Sequence, residues 1–205
     1  EHLTDLFRGF DTVFHMAAFK YVDRAEREAI ATIQTNVIGS MQVAEAARRA
    51  RVKRVVGVST DKAVSPTNCY GMSKMAMERV FIESARLSDT RFTCVRYGNV
   101  VGSTGSVIPM FMQAVAEGRP IRLTDPGMTR FWMSPDEAVD TVLAGLDALN
   151  GHVLVPRCRA MTMEDLVGMV LGYDEHRSLD EAVADGRVEI IGVRPGEKRH
   201  EALVQ

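Results

Sequence analysis

Residues 54–85 read RVVGVSTDKAVSPTNCYGMSKMAMERVFIESA, and this stretch decides the fold. Arg54–Ser59 is a compact apolar run with the texture of a buried strand, and Tyr70–Ala85 is helical in its spacing. Working outward, Thr12–Ala18 (TVFHMAA) is a short β-rich run and Phe92–Tyr97 (FTCVRY) is another. Between the first two strands, Ile30–Ala50 carries apolar residues at helical intervals. Continuous apolar strands alternating with amphipathic helices are the pattern of βαβ units. They predict an α/β fold with a doubly wound parallel sheet whose binding crevice lies at the carboxyl ends of the strands.

After Gly98 the texture changes. A Gly/Ser/Thr-rich loop, Asn99 to Ser106, precedes a helix from about Ile108 to Glu117. Shorter elements follow: Ile121–Thr124, a helix over Pro135–Leu149, a strand at His152–Pro156, a helix over Thr162–Gly172 and a strand at Val188–Val193. Residues 1–107 are read as part of a dinucleotide-binding domain. Residues 108–205 are read as a mixed substrate-binding lobe that also returns elements to the first sheet.

Composition removes several function classes. The 205 residues are 46% apolar and 25% charged with a formal net charge of −2, a globular balance without the basic face that nucleic acid binding needs. Three cysteines (Cys69, Cys94, Cys158) are an odd number without close pairing, which points to a reducing compartment and a cytoplasmic location. The longest uncharged stretch, Tyr97–Ala116, is broken by Gly98, Gly102, Gly105 and Pro109, so no membrane partner is expected. No His/Cys/Asp spacing calls for a metal. The basic run Arg48–Arg54 reads as a helix C-terminus whose cations offset the macrodipole. His15 reads as a satisfied strand-end histidine.

The chemistry gathers at strand ends. Tyr70 and Lys74 lie four apart and share a helix face. An ammonium there is expected to lower the phenol's pKa and suit Tyr70 to act as a base. Thr60, ending the preceding strand, can bond the same substrate oxygen. The chain holds only five lysines among its 25 Lys and Arg, and four of them fall in the stretches that matter here. Lysine, unlike arginine, can titrate when buried. Asp61 and Lys62 directly follow Thr60, an acid and a base side by side. An acid there must carry a proton that the adjacent ammonium works against, so burial or a proton shared by the pair has to supply it.

These residues resemble a known family. HMAAFKYV (15–22), TNVIGS (35–40), VSTDKAVSPTNCYGMSK (58–74), VRYGNVVGSTGSVIP (95–109), LTDPGMTRFWM (123–133) and RPGEKRHE (194–201) look like the extended short-chain dehydrogenases/reductases. Within them the match is to the UDP-N-acetylglucosamine 4,6-dehydratases, most of all the soluble inverting ones of pseudaminic acid synthesis. The resemblance implies a Rossmann-like fold, NADP as cofactor with NAD the alternative, a UDP-N-acetylhexosamine substrate and a homo-oligomer. It implies catalysis by Thr60, Asp61, Lys62, Tyr70 and Lys74. Lys20, Ser59, Tyr70, Lys74, Val100, Val101, Gly102, Ser103 and Thr104 would line the cofactor. Met16, Val58, Asn99, Val107, Thr124, Arg194 and Glu197 would contact the substrate. Met16 departs from the family's usual Ala. Arg130 reads equally as a diphosphate ligand or a structural ion-pair partner.

The pattern G-x-G-x-x-G is missing, and Gly98, Gly102 and Gly105 have the wrong spacing. In this fold the phosphate-binding glycines belong to the first βα turn. The chain is therefore expected to begin just before the fourth strand of such a domain. It would follow roughly two βα units of about 30 residues each and be inactive alone. Two other readings stay open. A nucleotide-sugar 4-epimerase of the same fold would use Thr60, Tyr70 and Lys74 without needing Asp61–Lys62. A catalytically silent sugar-nucleotide sensor would need none of them intact.

Overall fold

The computed structural model describes residues 2–173 and 178–204. Its strands are β1 (Thr12–His15), β2 (Arg54–Thr60), β3 (Arg91–Tyr97), β4 (Asn99–Val100), β5 (Ile121–Leu123), β6 (Thr129–Met133), β7 (Val153–Leu154), β8 (Arg159–Thr162) and β9 (Val188–Ile190). Its helices are α1 (His2–Phe7), α2 (Val22–Arg27), α3 (Ala29–Ile33), α4 (Gly39–Arg49), α5 (Cys69–Ser84), α6 (Val107–Ala116), α7 (Pro135–Ala144), α8 (Met163–Leu171) and α9 (Leu179–Ala184). A π-helical turn, Gln34–Ile38, joins α3 to α4, and a 3-10 turn, Asp61–Ala63, follows β2.

The chain divides into two compact units. The first holds residues 1–97, 136–157 and 202–205. Its sheet runs β1-β2-β3-β7, every pair parallel, as the alternating pattern predicts. Val52, Val55, Phe92 and Cys94 from the sheet side pack with Ala44, Ala47, Met77 and Phe81 from the helices, all buried. Gly57 makes this packing possible. A Cβ there would lie 2.5 Å from Phe81 Cε2, so only a bare backbone lets that ring settle on β2.

The second unit holds residues 98–135 and 158–201. One sheet runs β4-β6-β8, with β6 and β8 antiparallel, and β5 pairs with β9 in another. Phe111, Ile121, Leu123, Met128, Trp132, Leu166 and Val167 form its core.

The boundary expected at 107/108 thus moves to 97/98. At Gly98 a Cβ would meet Phe131 Cβ at 2.4 Å, so the chain is already pressed against β6 there and Asn99–Val100 joins it as a strand. Residues 136–157 and 202–205 return to the first unit.

Other elements differ at their ends or were not foreseen. The helix expected over Ile30–Ala50 is broken by the π turn. The strand expected over Thr12–Ala18 stops at His15, and the helix expected to Leu149 stops at Ala144. Strands β6 and β8 and helices α2 and α9 are too short for periodicity to reveal.

Candidate active site

In the first unit the polar end of β2 meets the start of α5. Thr60, the last residue of β2, is buried, and its hydroxyl donates to Asp61 Oδ1 at 2.9 Å. Lys62 Nζ donates to the same oxygen at 3.0 Å. Asp61 is fully buried, and its Oδ2 has no hydrogen-bond partner among the described residues. A buried carboxylate oxygen left unpaired is costly, and such atoms mark positions where a further group is expected.

Tyr70 stands in the first turn of α5, whose N-cap Asn68 accepts from Gly71 N at 2.8 Å. The Thr60 hydroxyl is near enough to the phenol to favour its ionised form. Gly71 lets the helix start here. A Cβ at that position would lie 2.2 Å from the Lys62 carbonyl oxygen, so α5 touches the backbone of the 3-10 turn directly. Thr60, Asp61, Lys62 and Tyr70 are therefore brought together.

Lys74, one turn on, is buried, and its only hydrogen bond among the described residues is Nζ to Met77 Sδ at 3.3 Å. Burial lowers its amine to about 8, with Cys94 and Glu78 pulling it partly back up. Burial likewise pushes the Tyr70 phenol upward. The Thr60 hydroxyl works against that rise, and Asp61 and Tyr97 add to it. The expected lowering of Tyr70 by Lys74 is thus corrected. Desolvation dominates both groups, and for the phenol it outweighs the lysine one turn away.

His15 behaves as the sequence suggests. It is buried, packs on Phe81 with ring centroids 5.7 Å apart, and shares a 2.8 Å hydrogen bond with Ser40 Oγ. Ser40 already donates to the Asn36 carbonyl, so His15 Nε2–H is the donor. Burial and then Lys74 hold it down at about 4. Arg48 and Arg49 end α4 and both pair with Glu45.

Around this cluster Met16 and Lys20 are exposed and Val58 is half-buried. Lys20 Nζ sits 5.6 Å above the Tyr21 ring. Ser59 differs from expectation, because its hydroxyl is donated to Glu78 Oε1 at 2.5 Å rather than offered to a ligand.

Two groups escaped the sequence reading. Asn36, on the π turn, accepts from Phe19 N at 2.7 Å and donates to Phe19 O and Ser73 Oγ, both at 2.9 Å. It ties the loop that carries Lys20 to α5. Buried Glu78 and half-buried Arg96 form an ion pair, Nη2 to Oε2 at 2.6 Å. A Glu on the buried stripe of α5 and an Arg inside an apolar strand were the available signals.

The remaining candidates lie in the second unit and are described there alone. Asn99 and Val100 pair with Trp132 and Met133, and Val101 N donates to Met133 O at 3.0 Å. Gly102 takes a left-handed φ of 73°, and Ser103 N closes a turn onto Val100 O at 3.2 Å. Thr104 is exposed, and Val107 opens α6. Thr124 Oγ1 donates to Met128 Sδ at 3.3 Å. Arg194 and Glu197 form a turn, with Glu197 N on Arg194 O at 3.1 Å and Arg194 N on Glu197 Oε2 at 3.4 Å. Arg130 donates to the carbonyls of Thr129 and Arg199.

The nicotinamide end of a dinucleotide fits the first-unit residues. Lys74 is buried with a thioether as its sole side-chain acceptor among the described residues, so it has N–H groups to spare for a sugar diol, next to a phenol and a threonine. No three His, Cys, Asp or Glu among the described residues could hold a metal ion. No described helix is long and apolar enough to cross a membrane.

Comparison with known proteins places this arrangement. Residues 1–205 match the family described as polysaccharide biosynthesis protein. The inverting UDP-N-acetylglucosamine 4,6-dehydratase of Campylobacter jejuni is 36% identical over 209 residues, 100% of this chain and 59% of that relative. A UDP-glucose 4-epimerase of Rickettsia akari is 39% identical over 207 residues, 98% of this chain and 58% of that relative. This chain therefore spans about three-fifths of the length of these curated relatives. Among solved structures, Pen from Bacillus thuringiensis superposes with a TM-score of 0.88 at 34% identity, over 99% of this chain and 63% of that one. The dTDP-glucose 4,6-dehydratase DesIV of Streptomyces venezuelae, solved with NAD bound, gives 0.84 at 26%, over 98% of this chain and 67% of that one. The doubly wound, Rossmann-like fold class is shared with both.

Proposed function

The chain belongs to the polysaccharide biosynthesis protein family, and from that premise we propose that it carries the catalytic centre of a UDP-N-acetylglucosamine 4,6-dehydratase. One observation carries the reading. Asp61 and Lys62 form a 3.0 Å pair beside Thr60 and Tyr70, with one oxygen of the buried Asp61 left without a partner among the described residues. Oxidation at C4 alone needs a phenol and a threonine. Removing water across C5 and C6 needs an acid and a base as well, and the pair supplies both.

Tyr70 must first lose its own proton to solvent, against the burial that holds its phenol up. As phenolate it takes the proton from the C4 hydroxyl, and Thr60 turns its hydroxyl from Asp61 to the same oxygen. Lys74 holds the nicotinamide ribose with its spare N–H groups. When bound, the nicotinamide supplies reversible hydride storage, oxidising C4 and later reducing C6. With C4 a ketone, the C5 proton becomes acidic and Lys62 removes it. Asp61 protonates the departing C6 hydroxyl, its proton shared with Lys62 through Oδ1. Lys62 returns a proton to C5, the proton Tyr70 took from the C4 hydroxyl passes to solvent while solvent reprotonates Asp61, and the sugar leaves as a 4-keto-6-deoxy compound with no net redox change.

In the second unit Asn99, Val107, Thr124, Arg194 and Glu197 are assigned to the nucleotide and sugar, and Val100–Thr104 to the cofactor edge. A guanidinium fork suits a diphosphate, which favours Arg194 for that group. Met16 and Val58 border the sugar. The finer assignments are NADP as the preferred cofactor, inversion at C5, a place at the entry to pseudaminic acid synthesis, a homo-oligomer and a cytoplasmic location.

The 4-epimerase reading has the Rickettsia akari relative on its side. The two are separated by expressing the complete open reading frame that encodes this chain and weighing the product made from UDP-N-acetylglucosamine. A dehydratase gives a product lighter by one water, whereas an epimerase gives one of unchanged mass.

A further inference from the structure

The ends of β2 and β3 are fastened to α5 through one carboxylate. Glu78 is 2% exposed. Its Oε1 accepts from Ser59 Oγ at 2.5 Å and Arg96 Nε at 3.0 Å, and its Oε2 accepts from Arg96 Nη2 at 2.6 Å. The remaining arm of the guanidinium, Nη1, donates to the Leu203 carbonyl at 2.8 Å. Ser59 and Arg96 are cross-strand partners in the β2–β3 register, so the fork closes over both strands at once.

The placement of this clamp matters. Glu78 follows Lys74 by four residues and Tyr70 by eight, on one face of α5. Ser59 directly precedes Thr60, which pairs with Tyr97 in the same register. Three bonds to one carboxylate fix how far α5 has slid and turned against the strand ends. Tyr70 and Thr60 are carried on those two bodies.

We propose that Glu78 and Arg96 are positioning residues, their ion pair setting the spacing at which Tyr70 meets Thr60 and Lys74 faces the site. The inference rests on the function proposed above for what is being positioned. Stability alone is a poor reason for the pair. Replacing a buried ion pair by apolar side chains of similar volume is often neutral or stabilising, whereas a bidentate fork sets direction as well as distance. The charged and titratable groups facing Lys74 are Glu78 on its own helix, Cys94 on β3 and His15 on β1. Arg96 faces Glu78 and Cys94.

The test uses the complete open reading frame with Glu78→Leu and Arg96→Met together, so that no buried charge is left unpaired, and Arg96→Lys separately, which keeps charge but loses the fork. The double variant is expected to melt close to the wild type. Its kcat should fall by about 10²-fold, the loss that a misplacement near 1 Å brings, with KM near the wild-type value. The limb of the pH–rate profile that belongs to Lys74 should move to lower pH, because the carboxylate that raises its amine is gone. Arg96→Lys should lose kcat as well.

A folded double variant with wild-type kcat and pH profile overturns the proposal. So does one whose lost activity is fully accounted for by its unfolded fraction. If the wild type neither dehydrates nor epimerises the sugar, the functional reading fails separately. The clamp is then judged on the carbon-13 signal of the Tyr70 phenol, assigned with Tyr70→Phe. That signal must move in the double variant, and an unmoved one overturns the proposal.

Discussion

Replacing Gly71 by alanine sets two principles against each other. In the interior of an exposed helix the change would stabilise by about 1 kcal/mol, since glycine is the poorer helix former. Here the added Cβ would lie 2.2 Å from the Lys62 carbonyl oxygen and 3.1 Å from both its carbonyl carbon and Pro66 Cβ. Reaching the 3.4 Å of an ordinary contact requires the backbone to part by about 1.2 Å. What yields is main chain, in the turn that carries Asp61 and Lys62. Overpacking costs about 1–3 kcal/mol, so after the helix gain the net loss of stability should stay below about 2 kcal/mol. The catalytic loss should be far larger, about 10²-fold in kcat, because a displacement of that size separates the acid–base pair from Tyr70. Gly39 is the control. Its Cβ would find Gln34 O at 3.5 Å, an ordinary contact, so Gly39→Ala should gain up to about 1 kcal/mol with turnover unchanged. Denaturant unfolding and turnover of both variants decide the matter. A Gly71→Ala protein as stable and as active as Gly39→Ala would refute the reasoning.

Three further expectations follow from the site. The Lys74 amine titrates at about 8 in the fold against 10.5 when unfolded. Between those values the unfolded chain binds the more protons and stability rises with pH; unfolding curves at about pH 8 and about pH 10 should show this rise in the wild type and its loss in Lys74→Met. Asp61→Asn should cut formation of the dehydrated product by about 10²–10⁴-fold while C4 oxidation persists as reduced-nicotinamide absorbance; equal loss of both would argue against a separate acid role. Asn36→Ala strands the Phe19 N–H and carbonyl and should lower stability by about 2–3 kcal/mol in denaturant melts, with an unchanged midpoint counting against its bracing role.

Much of the first unit could be read from residue order because its elements are long and buried on both faces. Arg54–Thr60 and Cys69–Ser84 announce themselves by period, and their junction brings Thr60, Asp61, Lys62 and Tyr70 together as the spacing implies. The π turn at Gln34–Ile38 was invisible, since its cause is tertiary: Asn36 turns inward to serve Phe19 and Ser73. The sign of the Tyr70 shift was misjudged for a related reason. Spacing shows that a lysine lies one turn away, but not that burial outweighs it. Ser59 looked like a ligand contact because its true partner, Glu78, lies nineteen residues on. In the second unit the strands have two to five residues, too short for a period of two to stand out, and β6 and β8 are held by pairing with each other.

The central claim is that Asp61 and Lys62 turn C4 oxidation into loss of water across C5 and C6. Its most direct test is incubation of the complete open reading frame's product with UDP-N-acetylglucosamine in heavy water, followed by NMR. The account predicts a 4-keto-6-deoxy sugar carrying deuterium at C5, with the configuration at C5 inverted. A sugar recovered unchanged, or altered only at C4, would contradict the roles given to both residues.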